Sequence, residues 1–496
     1  KLLHHYAWEE TGFPQEWVNN FNAELSGITC LSHHVQKIMI DNGVSIPVHL
    51  SGCGVDHWER ITASTNYTIK AKQFKFLHVS SCFPRKGVDC LLQAYGEKFT
   101  SSDDVSLIIK TFPNPHNEIH QWLENARQNN PNYPDVLIIE EDLHCTELKT
   151  LYQICDVLVS PTRAEGFGLP MAEAMLSGLP VITTAWSGQL DFCNSDNSWL
   201  VDFEFERANT HFDIFLSAWA KPSIDSLAKV MVDAYSSTDE LRKSKAKAGR
   251  DLLLKNFLWS DVTQRHVSAV SNMLENKSNH FPKVAWLSTW NTKCGIATYS
   301  EHLISNFPSK DIVIFSPESD SEIVDDKNNC VRNWTLGKDI NGLDQVSKEI
   351  SIRSLNTIVI QFNYGFYNHA ELSQFINDNH TIGRNVIIMM HSTVNPPKLD
   401  ETNFNLEFIL PALKLCSRIL VHSITDLNRL KNIGLIDNVA LFPHGVLNYL
   451  EQRTSVKKSA PPLIASYGFC LPHKGLEELV DAVALLKKQG SAIRLR

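Results

Sequence analysis

Pro161-Thr-Arg-Ala-Glu165-Gly-Phe-Gly-Leu-Pro170-Met-Ala-Glu173-Ala-Met175 is the stretch whose reading decides the fold. Before it, Asp156-Val-Leu-Val-Ser160 is a short β-branched run that reads as a strand. Pro170 suits a first helical turn, where its missing N–H is harmless, and Gly178-Leu-Pro180 stops that helix before Val181-Ile-Thr-Thr184 resumes a strand. The spacing therefore predicts a strand, a glycine-rich turn and a helix N-terminus. Unpaired N–H groups and the helix dipole favour an anion there, and Gly166 and Gly168 let a ligand approach the main chain closely. Two carboxylates, Glu165 and Glu173, bracket the turn with seven residues between them, and carboxylates accept hydrogen bonds from hydroxyls. A charged turn followed by a solvated helical glutamate is the plainer reading of the same spacing.

Glu165-Gly-Phe-Gly-Leu-Pro-Met-Ala-Glu173 resembles the E-x7-E signature of the family 4 retaining glycosyltransferases, which have the GT-B fold. The resemblance implies that Glu165 and the backbone of Gly166, Phe167, Gly168 and Leu169 meet a donor sugar, and that Glu173 meets the nucleotide ribose. Phe76-Leu-His-Val-Ser-Ser-Cys-Phe-Pro-Arg85-Lys86-Gly87 is similar to the family's strand and loop whose basic residue meets the diphosphate. Lys86 matches that position, with Arg85 beside it as a second cation. Trp8-Glu-Glu10 with Pro14, Trp186-Ser-Gly188 with Asp191-Phe192, and Trp219-Ala220 with Pro222 resemble tandem bacterial mannosyltransferases of O-antigen synthesis. That likeness implies GDP-mannose as donor and a polysaccharide or lipid-linked glycan as acceptor, with neither cofactor nor metal.

Composition bounds the function classes. The 496 residues suffice for about three domains, and 43% hydrophobic against 20% charged is a globular balance. A net charge of −9 with a sequence pI near 6.1 argues against nucleic acid as the main partner. No apolar run approaches the roughly 18 to 20 residues that cross a bilayer. The 11 Cys form no C-x-x-C pair and several, such as Cys30, Cys155 and Cys416, lie in apolar runs, so they read as reduced core thiols of a cytoplasmic protein. Leu241-Arg-Lys-Ser-Lys-Ala-Lys-Ala-Gly-Arg250 is a basic helical face that suits solvent or, peripherally, the anionic head groups of the inner membrane.

The chain also repeats itself at about 390 residues, too long a period for a solenoid. Gly27-Ile-Thr-Cys-Leu-Ser32 followed by Gly54-Val55 matches Arg418-Ile-Leu-Val-His-Ser423 followed by Gly445-Val446, and Cys82-Phe-Pro-Arg-Lys86-Gly87 matches Cys470-Leu-Pro-His-Lys474-Gly475. This reads as two copies of one enzyme, each incomplete. Residues 1–58 are expected to be the end of the first copy's N-terminal Rossmann-like domain and 66–265 its donor-binding domain. Residues 275–282 form a linker, 283–452 the second N-terminal domain, and 461–496 the start of the second donor domain, with Lys474 as the counterpart of Lys86. The expected fold class is α/β, parallel-sheet Rossmann-like domains in tandem.

In the second N-terminal domain, Val284–Ser288 leads to Gly295 at a helix start, and Asn385-Val-Ile-Ile-Met-Met390 ends at His391. The strand's C-terminal edge is where α/β folds bind ligands, although a lone histidine there also serves structure. The resemblance places Gly295 near the diphosphate and His391 near the sugar. In the first copy the equivalent strand ends at Tyr6-Ala-Trp8-Glu9-Glu10, with no histidine aligned. Sugar transfer builds negative charge on the leaving diphosphate, which Lys86 and Arg85 are placed to meet. A nucleotide-sugar-binding module without turnover, a GT-B transferase using a UDP-sugar, a GT-B epimerase and a phosphorylase remain open alternatives.

Overall fold

Val105-Ser-Leu-Ile-Ile-Lys110 and Thr357-Ile-Val-Ile-Gln-Phe362 are apolar at most positions instead of alternating, the pattern of strands covered on both faces. The computed structural model builds them that way. It describes residues 1–210, 212–275, 282–308, 311–318, 323–324, 326, 329–337, 339–396, 405–446, 461–466 and 475–496. These fall into two units, 1–443 and 444–496.

Among the described residues, the first unit holds three parallel sheets. The first joins β1 (Leu2–Tyr6), β2 (Gly27–Cys30) and β3 (Val48–Leu50) in that order. The second contains β4 (Phe74–Val79), β5 (Val105–Lys110), β6 (Asp135–Ile139), β7 (Val157–Ser160), β8 (Val181–Thr184) and β9 (Ser198–Val201), in the order β6-β5-β4-β7-β8-β9. Strand order reverses at β4, and in such sheets the crevice at the carboxyl ends of the two central strands receives ligands. The turns after β4 and β7, which carry Lys86 and Glu165, open at that edge.

A short antiparallel hairpin follows, β10 (Phe203–Arg207) with β11 (Ala218–Pro222), and it departs from the expected strand and helix alternation over 66–265. Phe203 and Phe205 alternate with Glu204 and Glu206, so one face is apolar and must be covered. The third sheet's domain covers it. That sheet contains β12 (Val284–Leu287), β13 (Ile312–Pro317), β14 (Cys330–Trp334), β15 (Thr357–Phe362), β16 (Asn385–Met390), β17 (Arg418–Val421) and β18 (Val439–Leu441), ordered β14-β13-β12-β15-β16-β17-β18. Its helix Ile424–Asn432 lies on β10, where the Asn428 amide donates to the Phe205 carbonyl (2.9 Å) and accepts from the Phe205 N–H (2.7 Å). Lys431 pairs with Asp202 at 2.6 Å, Arg418 pairs with Asp41 at 2.6 Å, and the Lys37 ammonium donates to the Val439 carbonyl at 2.7 Å. One hydrophobic cluster runs from Trp186, Phe203 and Trp219 into Ile358, Leu413 and Leu430.

The second unit, taken alone, has a two-stranded parallel sheet, β19 (Leu463–Ile464) with β20 (Arg494–Leu495), and the helix Leu476–Lys488. Two local features recur along the chain. Ser32 and Ser423 each cap a helix by accepting from the N–H three residues on, both at 3.2 Å. Gly87 and Gly475 each precede a helix in the left-handed conformation, with φ of 69° and 67°. Lys474 and the linker positions 276–281 lie outside the described residues. No helix among the described residues is long and apolar enough to cross a membrane.

Candidate functional site

Because β4 pairs with β7, the turns that follow them lie side by side. The Arg163 N–H donates to the Arg85 carbonyl at 2.7 Å, and the Arg163 guanidinium grips Asp89 through two bonds of 2.9 and 2.7 Å while also reaching the Pro84 carbonyl. Gly87 lies against the other turn so closely that a Cβ there would sit 2.0 Å from the Pro161 carbonyl oxygen. Only glycine meets both this approach and the positive φ. Arg163 and Gly87 were not singled out from the sequence as site residues, because their contacts are formed between turns about 75 residues apart.

Charge then gathers at the mouth of the two turns. The Lys86 ammonium lies 2.5 Å from Glu165 Oε1, and the Arg85 guanidinium lies 3.6 Å from Glu165 Oε2 and 3.0 Å from Glu9 Oε1. Arg85 also donates to the Ala164 carbonyl at 2.8 Å. Burial pushes the Glu165 carboxyl up, but Lys86 and then Arg85 outweigh it and hold the group below the usual carboxylate range. Two cations thus face two carboxylates, one of them supplied by the segment after β1. Behind Lys86, the fully buried His78 donates from Nδ1 to the Val159 carbonyl (2.7 Å), which leaves Nε2 to accept from Ser80 (2.7 Å). Burial lowers the pKa of His78 to about 4, so it is a neutral support.

The loop after β8 holds Glu165 in place. Ser187, at φ 88°, accepts from the Glu165 N–H through Oγ at 2.9 Å and donates to Gln189 at 2.7 Å, while the Gly188 N–H donates to the Glu165 carbonyl at 2.9 Å. A Cβ on Gly188 would lie 2.3 Å from the Gly166 oxygen. The Trp186-Ser-Gly188 phrase was legible in the sequence, but its contact with Glu165 was not.

Gly168, at φ 99°, caps the helix Leu169–Leu176, and Pro170 occupies the first turn as expected. Leu169 is exposed, whereas the Phe167 ring is buried against Phe192 and Phe257. Phe167 can therefore offer a ligand only its backbone. Gly166 faces the segment after β1, its hypothetical Cβ 3.2 Å from Ala7 Cβ. One turn into the helix, burial raises Glu173 to about 7, an effect the Tyr152 hydroxyl partly offsets by donating to Oε2 at 3.1 Å.

His391 and Gly295 belong to the third sheet, Glu165 and Lys86 to the second. His391 follows β16, and its Nε2 lies 2.7 Å from Gln361 Oε1 at the end of β15. Gly295 starts the helix Gly295–Ser305, which brings Tyr299 edge-on to His391 with ring centroids 5.1 Å apart. Around Gly295 a Cβ would meet nothing within 4 Å.

Lys86, Glu165 and Glu173 all fall in the stretch 59–224, which matches the family model described as glycosyl transferases group 1. A curated relative, the uncharacterized glycosyltransferase 335 of Sulfolobus islandicus rod-shaped virus 1, is 31% identical over 109 residues, which are 22% of this chain and 30% of the relative. The chain thus spans under a third of the length of that relative. Similar solved structures include sucrose-phosphate synthase from Thermosynechococcus elongatus, 17% identical over 53% of this chain and 62% of that one, with a TM-score of 0.43. Anabaena HepE in complex with UDP and glucose is 17% identical over 55% and 71%, also with a TM-score of 0.43. The C-terminal domain of the glycosyl transferase group 1 protein LpcC from Francisella tularensis is 20% identical over 42% of this chain and all of that one, with a TM-score of 0.33.

Proposed function

We propose that the protein is a retaining GT-B glycosyltransferase that moves a hexose, mannose from GDP-mannose, onto a polysaccharide or lipid-linked glycan. The observation that carries this reading is the pairing of Lys86 and Arg85 with Glu165 at a glycine-rich helix start, inside the stretch that matches the glycosyl transferases group 1 model. A nucleoside diphosphate brings the negative charge that the two cations meet, and the helix start adds backbone N–H groups and a favourable dipole. As the glycosidic bond to phosphate breaks, these groups stabilise the growing charge, and Glu165 accepts hydrogen bonds from sugar hydroxyls. The leaving phosphate itself takes the acceptor proton, so no carboxylate nucleophile and no metal is used. Glu173 holds the ribose.

The tandem arrangement belongs to the same proposal, supported by the matched serine caps and the matched left-handed glycines. Calorimetry with GDP and UDP, and turnover of GDP-mannose against UDP-glucose, test the reading. Glu173→Ala is expected to weaken nucleotide binding and Glu165→Ala mainly to lower turnover. The roles assigned to the two carboxylates fall if Glu165→Ala abolishes nucleotide binding while Glu173→Ala leaves it intact. A UDP-sugar donor replaces GDP-mannose if UDP binds and GDP does not.

A further inference from the structure

Glu173 is held by a structure that the E-x7-E spacing does not contain. Its Oε2 accepts from the Tyr152 hydroxyl at 3.1 Å, and Tyr152, on the helix Cys145–Ile154, is the one hydrogen-bond partner of that carboxylate among the described residues. The Tyr152 side chain is fully buried and meets the indole of Trp58 edge-on, with centroids 5.7 Å apart at 87°. Trp58 donates from Nε1 to Ser177 Oγ at 2.8 Å, and Ser177 Oγ donates to the Glu173 carbonyl at 2.7 Å. The Trp58 carbonyl in turn accepts from the Lys149 ammonium at 2.7 Å. The glutamate is therefore fixed at both ends, its side chain by a phenol and its backbone by an indole acting through a serine.

Water is interchangeable as a donor to an exposed carboxylate, but a buried phenol is not. Burial and the neighbouring carboxylate hold the Tyr152 hydroxyl well above its ordinary pKa, so it stays a donor at working pH. With Oε2 committed to Tyr152, the carboxylate has one orientation and presents Oε1 for further donors. A vicinal diol supplies such donors.

Resting on the reading of Glu173 as the ribose carboxylate, we propose that Tyr152 is a positioning residue for donor recognition: it aims Glu173 at the ribose hydroxyls and so raises affinity for the nucleotide without touching it. Trp58 keeps the tyrosine ring and the end of the helix in place.

The test compares wild type, Tyr152→Phe and Glu173→Gln for binding of the nucleoside diphosphate that the chain prefers, GDP or UDP, and of its 2′,3′-dideoxy form. Wild type is expected to bind the dideoxy ligand about tenfold more weakly than the ribose form, the scale of one hydrogen bond to a charged group. Tyr152→Phe is expected to weaken the ribose ligand several-fold and leave the dideoxy ligand unchanged, raising KM for the sugar nucleotide with kcat intact. Equal weakening of both ligands by Tyr152→Phe, or no weakening of either while Glu173→Gln loses ribose discrimination, overturns the positioning role. If wild type binds the two ligands equally and Glu173→Gln changes nothing, the ribose assignment itself falls and the proposal with it. The wild-type comparison changes only the ligand, so it does not depend on any variant folding.

Discussion

The strands β1, β2 and β3 and the strands β16, β17 and β18 are the same local device with different chemistry at its tip. Both are parallel and in the same order, and in both the middle strand leads to a capping serine, Ser32 or Ser423. Leu3 opposite Ile28 takes the place of Ile388 opposite Ile419, and Tyr6, opposite Cys30 two residues further along the paired strand, corresponds by that count to Met390, so Ala7 stands where His391 does. A bulge makes the difference: the register slips between Leu3 and Tyr6, and His5 takes up the extra residue at φ 56°. His5 then stacks on Trp259, away from the tip. The small Ala7 lets the chain run close over Gly166 and delivers Glu9 to Arg85. His391 instead keeps an imidazole at its strand end, bonded to Gln361 and flanked by Tyr299. One edge is closed against a charged turn, and the other is built around a ring.

Gly87, in the charged turn that meets the first edge, and Gly295, at the helix start beside the ring of the second, give the largest expected contrast. Gly87→Ala combines a 2.0 Å overlap with a left-handed backbone, and is expected to cost about 3 kcal/mol or more. Gly295→Ala, with open space and no positive φ, is expected to stay within about 0.5 kcal/mol. Thermal melts of the two variants make the comparison, and equal losses would mean that the edges are packed alike.

Charge separates them next. Lys86→Ala is expected to weaken nucleoside diphosphate binding by about 1.5–3 kcal/mol, the worth of a charge-assisted bond, and Arg85→Ala by less, since Arg85 is also bound to Glu9 and the Ala164 carbonyl. His391→Ala is expected to leave that affinity unchanged. Titration calorimetry reads all three, and a His391→Ala loss as large as that of Lys86→Ala would join the two edges into one site.

A smaller effect is expected from pH. Glu173 titrates near 7 and accepts from ribose hydroxyls more strongly as a carboxylate than as a neutral acid, so nucleotide affinity should rise between pH 6 and pH 8. In Glu173→Gln that rise should shrink to whatever the phosphates contribute, and an unchanged pH profile would remove Glu173 from the interaction. Smallest is Glu9→Gln. It frees Arg85 from a partly exposed ion pair, and nucleoside diphosphate binding should tighten about two- to fivefold, within the 0–1 kcal/mol of such pairs. Weaker binding in that variant would mean that Glu9 assists the ligand and does not compete with it.

Strands were the most legible part of this chain. Phe74–Val79, Val157–Ser160, Val181–Thr184 and Asn385–Met390 are found where β-branched and apolar runs bounded by turn residues put them, and the helix start at Pro170 follows from proline's fixed φ. Those are properties of neighbouring residues, so local sequence determines them, and with them the α/β class. The tertiary structure alone decided which turns meet. Nothing near Glu9 in sequence points to Arg85, nothing near Ser187 to the Glu165 N–H, and nothing near Tyr152 to Glu173: the first contact joins two different sheets, the second joins the turns of two neighbouring parallel strands, and the third joins two helices. The hairpin β10 and β11 was missed for the same reason: its apolar face makes sense only once the helix Ile424–Asn432, more than 200 residues later, lies on it. Periodicity and turn chemistry act over a few residues and are written in the sequence, whereas charge pairing and close backbone approach depend on distances that only the folded sheet sets.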